Sequence, residues 1–121
     1  MRYSIVHDGV KIELPKYTFD IDDKIAKMTE EINRGGSLRK ISKRIFDFCA
    51  ELIGVEELIK IVGDFDSCDP NELQILYRDM LSAYAEPLVQ YEQEKLNGIY
   101  DFDTIEKVMD VAERAQAIRV V

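Results

Sequence analysis

The longest periodic pattern of apolar residues in the chain lies between Pro70 and Leu96. The apolar positions recur at steps of three and four residues, which places them on one side of a helix with 3.6 residues per turn. They are Leu73, Leu76, Tyr77, Met80, Leu81, Tyr84, Leu88 and Tyr91. Pro87 interrupts this pattern. Because proline lacks an N–H and clashes with the carbonyl four residues earlier, we expect the long helix to kink or break near Ala83.

The residues before this helix form a capping pattern. Asp69 is expected to be the N-cap and Pro70 the first helical residue, with Glu72 reaching back as the third residue of a capping box. The same segment, DFDSCDPNE, is rich in carboxylates and is the best candidate on composition for a calcium loop. An EF-hand loop that started at Asp64 would need Gly at position 69 and Glu at position 75, where the chain has Asp and Ile. We therefore favour the capping interpretation.

The amino terminus alternates apolar and polar residues, which is typical of strands. Residues 3–14 predict a β-hairpin whose two-residue turn is Asp8-Gly9, a pair that tolerates the positive φ angles of a type I′ turn. In that register one face of the hairpin carries Tyr3, Ile5, His7, Val10, Ile12 and Leu14. A hairpin alone is marginal in water, so we expect this face to be covered, while the outer edges stay free to accept a strand from a neighbouring subunit.

Shorter amphipathic helices are predicted on both sides of the long one. The first begins at an Asp20 cap and ends at Gly35-Gly36, the second follows a Ser37 cap and ends at Gly54, and the third is Val55 to Val62. Beyond the long helix, which Asn97-Gly98 should close, a last helix is expected from Thr104 to about Ile118. The sequence thus predicts a mainly α protein (α+β if the hairpin is counted strictly). Its hairpin (3–14) would pack on a helical body of four to five helices (20–118), all in a single domain, 1–121.

Composition and charge restrict the function. The 121 residues have a net charge of −8, and the acidic and basic residues balance over the first 60, so residues 61–121 carry the excess. Such a field repels nucleic acid and membrane surfaces, and suits either a basic protein partner or simple solubility. No apolar run approaches the roughly 20 residues of a membrane helix, and MRYSIVHDG lacks a signal-peptide core. We expect a cytoplasmic protein without nucleic-acid or membrane partners.

The groups that catalysis needs are sparse. His7 is the one histidine, no serine or cysteine has the context of a nucleophile, and Gly35-Gly36 lacks the lysine of a phosphate-binding loop. Cys49 and Cys68 have no metal-ligand spacing and are expected to be a buried and a partly exposed free thiol. We therefore expect no enzyme activity, no catalytic residues, no cofactor and no metal. A basic run is interpreted mainly as a solvated face: Arg34, Arg39, Lys40, Lys43 and Arg44.

The long helix offers the best candidate for binding another polypeptide. Tyrosine combines a large contact area with a polar tip, and methionine adapts to irregular surfaces, so an apolar stripe of both can hold amphipathic helices. The candidate partner-binding residues are Tyr77, Met80, Tyr84, Leu88 and Tyr91. The alternative is that the stripe is the core of a helical bundle. That alternative is favoured for Leu73, Leu76, Met80 and Leu81, whereas Tyr84 and Tyr91 stay open.

Two stretches carry a family resemblance. The hairpin IVHDGVKIELPKYTFDI and the helix NELQILYRDMLSAYAEPLVQYEQEKL, with its L-x-x-L-Y-x-x-x-L-x-A-Y-x-x-P-L run, resemble the small tail assembly chaperones of long-tailed bacteriophages and related prophages of low-GC Gram-positive bacteria. The resemblance covers about residues 3–96 and does not extend to DFDTIEKVMDVAERAQAIRVV.

The resemblance implies a cytoplasmic helper in the bacterial host that coats the aggregation-prone tape measure protein and recruits tail tube subunits. It also implies self-association, and a longer form made by ribosomal frameshifting. The family has no active site to transfer. Two other functions stay open: a structural tail or head-to-tail connector subunit, and an acidic inhibitor that mimics DNA, which the charge after residue 60 suggests.

Overall fold

The computed structural model describes residues 1–99 of the chain. Its elements are β1 (Tyr3–His7), β2 (Val10–Leu14), α1 (Phe19–Arg34), α2 (Leu38–Ile53), α3 (Val55–Val62) and α4 (Pro70–Ile99). The predicted fold class is confirmed: the protein is mainly α, with a small antiparallel hairpin packed on the helices. The predicted last helix, 104–118, lies outside the described residues. None of the helices within residues 1–99 has both the length and the apolar composition needed to cross a membrane.

The hairpin has the predicted register. Tyr3 pairs with Leu14, Ile5 with Ile12 and His7 with Val10. Asp8 and Gly9 both have positive φ, 48° and 79°, as a type I′ turn requires. The predicted inner face is buried at Ile5, His7, Ile12 and Leu14. Tyr3 is half-buried, and Val10 is the exposed member of this face, at 58%. It lies beside the turn, opposite His7, which is buried.

Helices α1 to α3 begin and end close to the predicted residues. Ser37 caps α2 by accepting the Lys40 N–H, and Gly54 and Gly63 end α2 and α3. The prediction that Asp20 caps α1 is wrong: Thr18 is the N-cap, and its Oγ1 accepts the Ile21 N–H. The helix therefore starts earlier, and Asp20 lies in its first turn, where a negative charge is also favourable.

The long helix α4 starts as predicted, because Asp69 Oδ1 accepts the Asn71 N–H at 2.8 Å and Pro70 is the first helical residue. The predicted return of Glu72 to the N-cap is wrong, since its carboxylate instead meets His7, at 3.3 Å. The helix also continues through Pro87 and is not broken into two rods. Pro87 removes the N–H that would bond the carbonyl of Ala83, a half-buried residue, without ending the helix.

The core is formed by the inner face of the hairpin and one side of each helix. The residues of α4 that are buried in it recur at helical spacing: Leu73, Leu76, Tyr77, Met80 and Tyr84. From Ala85 to Leu96 no residue of α4 is buried. Met1–Tyr84 forms one compact unit and a second unit begins at Ala85. Whether the whole chain is one domain stays a prediction.

Candidate functional site

The structure divides the five predicted partner-binding residues into two groups. Tyr77, Met80 and Tyr84 are buried in the core, whereas Leu88 and Tyr91 are 64% and 55% exposed. All five lie on the same predicted stripe, but the core ends at Tyr84. Of these five, a partner can therefore reach Leu88 and Tyr91. The core alternative holds for Leu73, Leu76 and Met80, and Leu81 packs half-buried against the core.

Tyr84 joins the hairpin to α4 through an aromatic cluster. Its ring lies 5.0 Å from the ring of Tyr3 and 5.0 Å, edge on, from the ring of Tyr17. Its hydroxyl donates a 2.9 Å hydrogen bond to the carbonyl oxygen of Pro15. Burial, together with the nearby Tyr3, raises the pKa of Tyr84 to about 12. The hydroxyl therefore stays protonated at neutral pH and serves as a structural donor.

Tyr77 lies deeper and packs edge on against Phe48, with 5.5 Å between ring centroids. Its buried hydroxyl has no hydrogen-bond partner within the described residues. Burial raises the pKa of Tyr77, and the neighbouring Cys49 adds to that shift. The side chain therefore contributes mainly apolar packing.

The exposed apolar surface that remains on α4 follows Tyr84. We define the α4 strip as Leu88, Val89, Tyr91 and Leu96, which are all exposed. They fall within an arc of about 160° when each residue turns the helix by about 100°. Gln90 lies opposite this arc, whereas Glu92 and Lys95 fall inside it, so the apolar residues of the strip alternate with two charged ones.

Charges surround the α4 strip. Glu86, Glu92 and Glu94 lie on the same stretch of helix, and the Lys95 ammonium lies 5.3 Å from the centre of the Tyr91 ring. Glu86 and Glu94 lie outside the arc of the strip and Glu92 within it, so this surface suits a partner helix that offers both apolar and basic residues.

A second cluster, which the sequence did not suggest, joins the hairpin turn to the start of α4. His7 Nε2 lies 3.3 Å from Glu72 Oε1 and 3.7 Å from Asp8 Oδ2. Within residues 1–99 this is the one group of three imidazole, thiol or carboxylate ligands close enough to share a metal ion. Asp8 is 81% exposed, however, and a buried histidine against Glu72 accounts for the geometry as a hydrogen-bonded pair. Glu72 follows His7 by 65 residues, so spacing along the chain gave no signal of it.

The basic run of α1 and α2 is largely paired with acidic residues. Arg39 binds Asp66 at 2.7 Å, Lys43 binds Asp47 at 3.1 Å, and Arg34 binds Glu30 at 2.9 Å. These pairs are solvent-exposed, so each contributes little to stability. They fit the interpretation of this run as a solvated face, although only the pair with Asp66 reaches the acidic second half of the chain.

The loop before α4 uses its polar groups locally. Asp64 Oδ1 accepts hydrogen bonds from the N–H and the hydroxyl of Ser67, at 3.0 and 2.9 Å. The Cys68 thiol donates to the carbonyl oxygen of Phe65 at 3.3 Å. These contacts make the loop a structured connection into the Asp69 cap.

Both cysteines are free thiols, as predicted. Cys49 is fully buried, and this burial raises its pKa to about 12. Cys68 is half-buried; its pKa is raised by burial, with nearby acids such as Asp64 adding to the shift. A thiol reacts as its thiolate, so neither environment activates a nucleophile.

A groove with a volume of about 590 Å³ lies beside β2. Ile12, Ile53 and Ile61 form part of its lining. Lysines and glutamates at the groove pair with one another, Lys11 with Glu13 at 3.4 Å and Lys60 with Glu57 at 3.3 Å. Apolar side chains therefore line the groove together with two lysines and three acidic residues.

No protein-family model, curated protein or solved structure matches the chain.

Proposed function

We propose that this protein is a tail assembly chaperone of a bacteriophage or prophage. In this proposal it holds the tape measure protein in a soluble state while tail tube subunits assemble around it. The proposal rests on the sequence resemblance described above and on one structural observation: α4 continues beyond the core and exposes Leu88 and Tyr91 there.

The α4 strip has the chemistry that this task requires. A long helical protein waiting for its tube exposes apolar faces that would otherwise aggregate. Leu88, Val89, Tyr91 and Leu96 offer exposed apolar side chains on the stretch of α4 that the core does not use. The aromatic ring of Tyr91 gives such a contact a rigid anchor with a polar tip.

Co-expression with the tape measure protein of the same locus tests this proposal. The wild-type chain should raise the soluble yield of that protein. The double variant Leu88→Ser/Tyr91→Ser should lose most of the effect, because it removes two apolar contacts from the strip. The variant Gln90→Ser/Gln93→Ser changes two exposed residues of the same helical segment outside the strip and should behave as wild type. Unchanged aggregation of the tape measure protein in the presence of the wild-type chain would refute the proposal.

The alternative, a structural subunit of the tail, predicts a different composition of finished phage particles. Such a subunit stays in finished particles at a fixed copy number, whereas the chaperone leaves before the tail is complete. Mass spectrometry of purified particles should therefore detect no stoichiometric copy of this chain.

A further inference from the structure

The outer edge of β2 has backbone groups available for another strand. In a hairpin with a two-residue turn, His7 and Val10 exchange hydrogen bonds, so the alternate residues Lys11 and Glu13 direct their N–H and C=O groups away from β1. Within residues 1–99 these outward groups have no hydrogen-bond partner in another element. Unpaired edges of this kind accept strands from other chains.

Space for a strand exists along this edge. The groove of about 590 Å³ is lined by Val10, Lys11, Ile12 and Glu13 on one side, and by the end of α2 and α3 on the other. Val10 belongs to the inner face of the hairpin but is largely exposed. An added strand would cover it.

The sequence of β2, VKIEL, is complementary to itself. In an antiparallel pair of two β2 strands centred on Ile12, Lys11 of each copy lies opposite Glu13 of the other, and Val10 lies opposite Leu14. The outward N–H and C=O groups of Lys11 and Glu13 then face each other, as a hydrogen-bonded pair requires. Centring the pair on Lys11 or on Glu13 places two like charges opposite each other, which is unfavourable. Charge therefore selects one register.

At the outer edge of β1, charge does not select a register. It presents Ser4 and Val6, which carry no charge. A lysine on an edge strand usually discourages pairing with other chains. On β2, Glu13 follows Lys11 by two residues. A second copy of the same strand therefore places an opposite charge against each of them, and pairing with that copy is favoured.

We propose that two copies of this protein associate through their β2 strands, antiparallel and centred on Ile12, to form a continuous four-stranded sheet. The interface is small, because it consists mainly of two five-residue strands, so the dimer depends on protein concentration. This inference uses only the hairpin and the groove, and it does not rest on the proposed function.

Charge reversal tests this interface. Lys11→Glu and Glu13→Lys each turn two attractive cross-strand pairs into two repulsive ones, so each should raise the dimer dissociation constant at least about tenfold. Sedimentation velocity over a concentration series measures that change. The double variant Lys11→Glu/Glu13→Lys restores opposite charges and should dimerise as wild type. An equimolar mixture of the two single variants should form a heterodimer, because every pair across the strands is again attractive.

The matched control is Glu30→Lys, which breaks an exposed ion pair with Arg34 on α1. It should leave the dimer unchanged, and circular dichroism should show native helix content for every variant. A wild-type chain that stays monomeric at its solubility limit overturns the inference. So does a dimer that survives both single reversals, or single variants that fail to associate when mixed.

Discussion

The hydroxyl of Tyr84 donates a 2.9 Å hydrogen bond to the carbonyl oxygen of Pro15. Pro15 is the residue that follows β2, and Tyr84 is the last core residue of α4. A second contact joins the other end of the hairpin to the same helix, because His7 meets Glu72 near the start of α4. The two contacts fix the hairpin along the first half of α4, so they set the position of the β2 edge.

Removing the Tyr84 hydroxyl should destabilise the protein. Tyr84→Phe keeps the ring cluster with Tyr3 and Tyr17 but removes the hydrogen bond, which should lower the free energy of unfolding by about 1 kcal/mol. Tyr91→Phe makes the same change on an exposed residue and should have little effect. Urea denaturation of the two variants measures both values. Equal stability of the two variants would show that the bond to Pro15 does not hold the hairpin.

Stability should also fall at high pH. The pKa of Tyr84 is raised from 10.0 to about 12 in the folded protein, and that of Tyr77 is raised as well. The folded state therefore retains these protons at pH values where the unfolded state has lost them. This contribution is complete below about pH 10 and disappears as the pH rises toward about 12.

Chemical denaturation between pH 9 and 12 measures that loss. The variant Tyr84→Phe should show a shallower decrease of stability with pH than wild type, because one of the groups whose pKa is raised by folding is absent. A decrease with the same slope in both proteins would mean that Tyr84 titrates normally.

Truncating two neighbouring side chains of α4 to alanine should change the free energy of unfolding by very different amounts. Leu76 is fully buried, so Leu76→Ala leaves a cavity and should lower the free energy of unfolding by about 2–5 kcal/mol. Ile75 is exposed, and Ile75→Ala should change it by no more than about 0.5 kcal/mol. Thermal unfolding of the pair compares the two faces of one helical turn. The reverse order would contradict the described orientation of α4.

The two thiols should differ in reactivity. A disulfide reagent at pH 8 should label one thiol per folded chain, Cys68, and both thiols in denaturant. With its pKa raised to about 12, folded Cys49 is a thiolate in only about 1 molecule in 10,000 at that pH. The variant Cys68→Ser should then show no rapid labelling until it unfolds. Rapid labelling of that variant in its folded state would contradict the burial of Cys49.

Local chemistry predicted most elements of the fold. The Asp8-Gly9 pair determined the turn and therefore the register, because few residue pairs accept two positive φ angles. Ser37 and Gly54 marked the ends of α2. At the start of α1, two good capping residues, Thr18 and Asp20, lie two positions apart, so local preference did not decide between them.

The rest depended on contacts between distant residues. Periodicity placed Tyr77, Tyr84 and Tyr91 on one stripe, but it cannot show where the hairpin stops covering that stripe. Glu72 has the spacing of a capping box, and its pairing with His7 depends on how the hairpin docks. The alternation along the hairpin likewise cannot show that Val10 is exposed while its strand partner His7 is buried.

The central claim is that the α4 strip binds the tape measure protein. The affinity between the chain and a purified helical fragment of that protein tests this claim most directly. Isothermal titration should show binding to the wild-type chain and to Gln90→Ser/Gln93→Ser with equal affinity. Leu88→Ser/Tyr91→Ser should bind at least about tenfold more weakly, since apolar and aromatic anchors dominate such contacts. Equal affinity of all three proteins, or no binding by the wild-type chain, would contradict the claim.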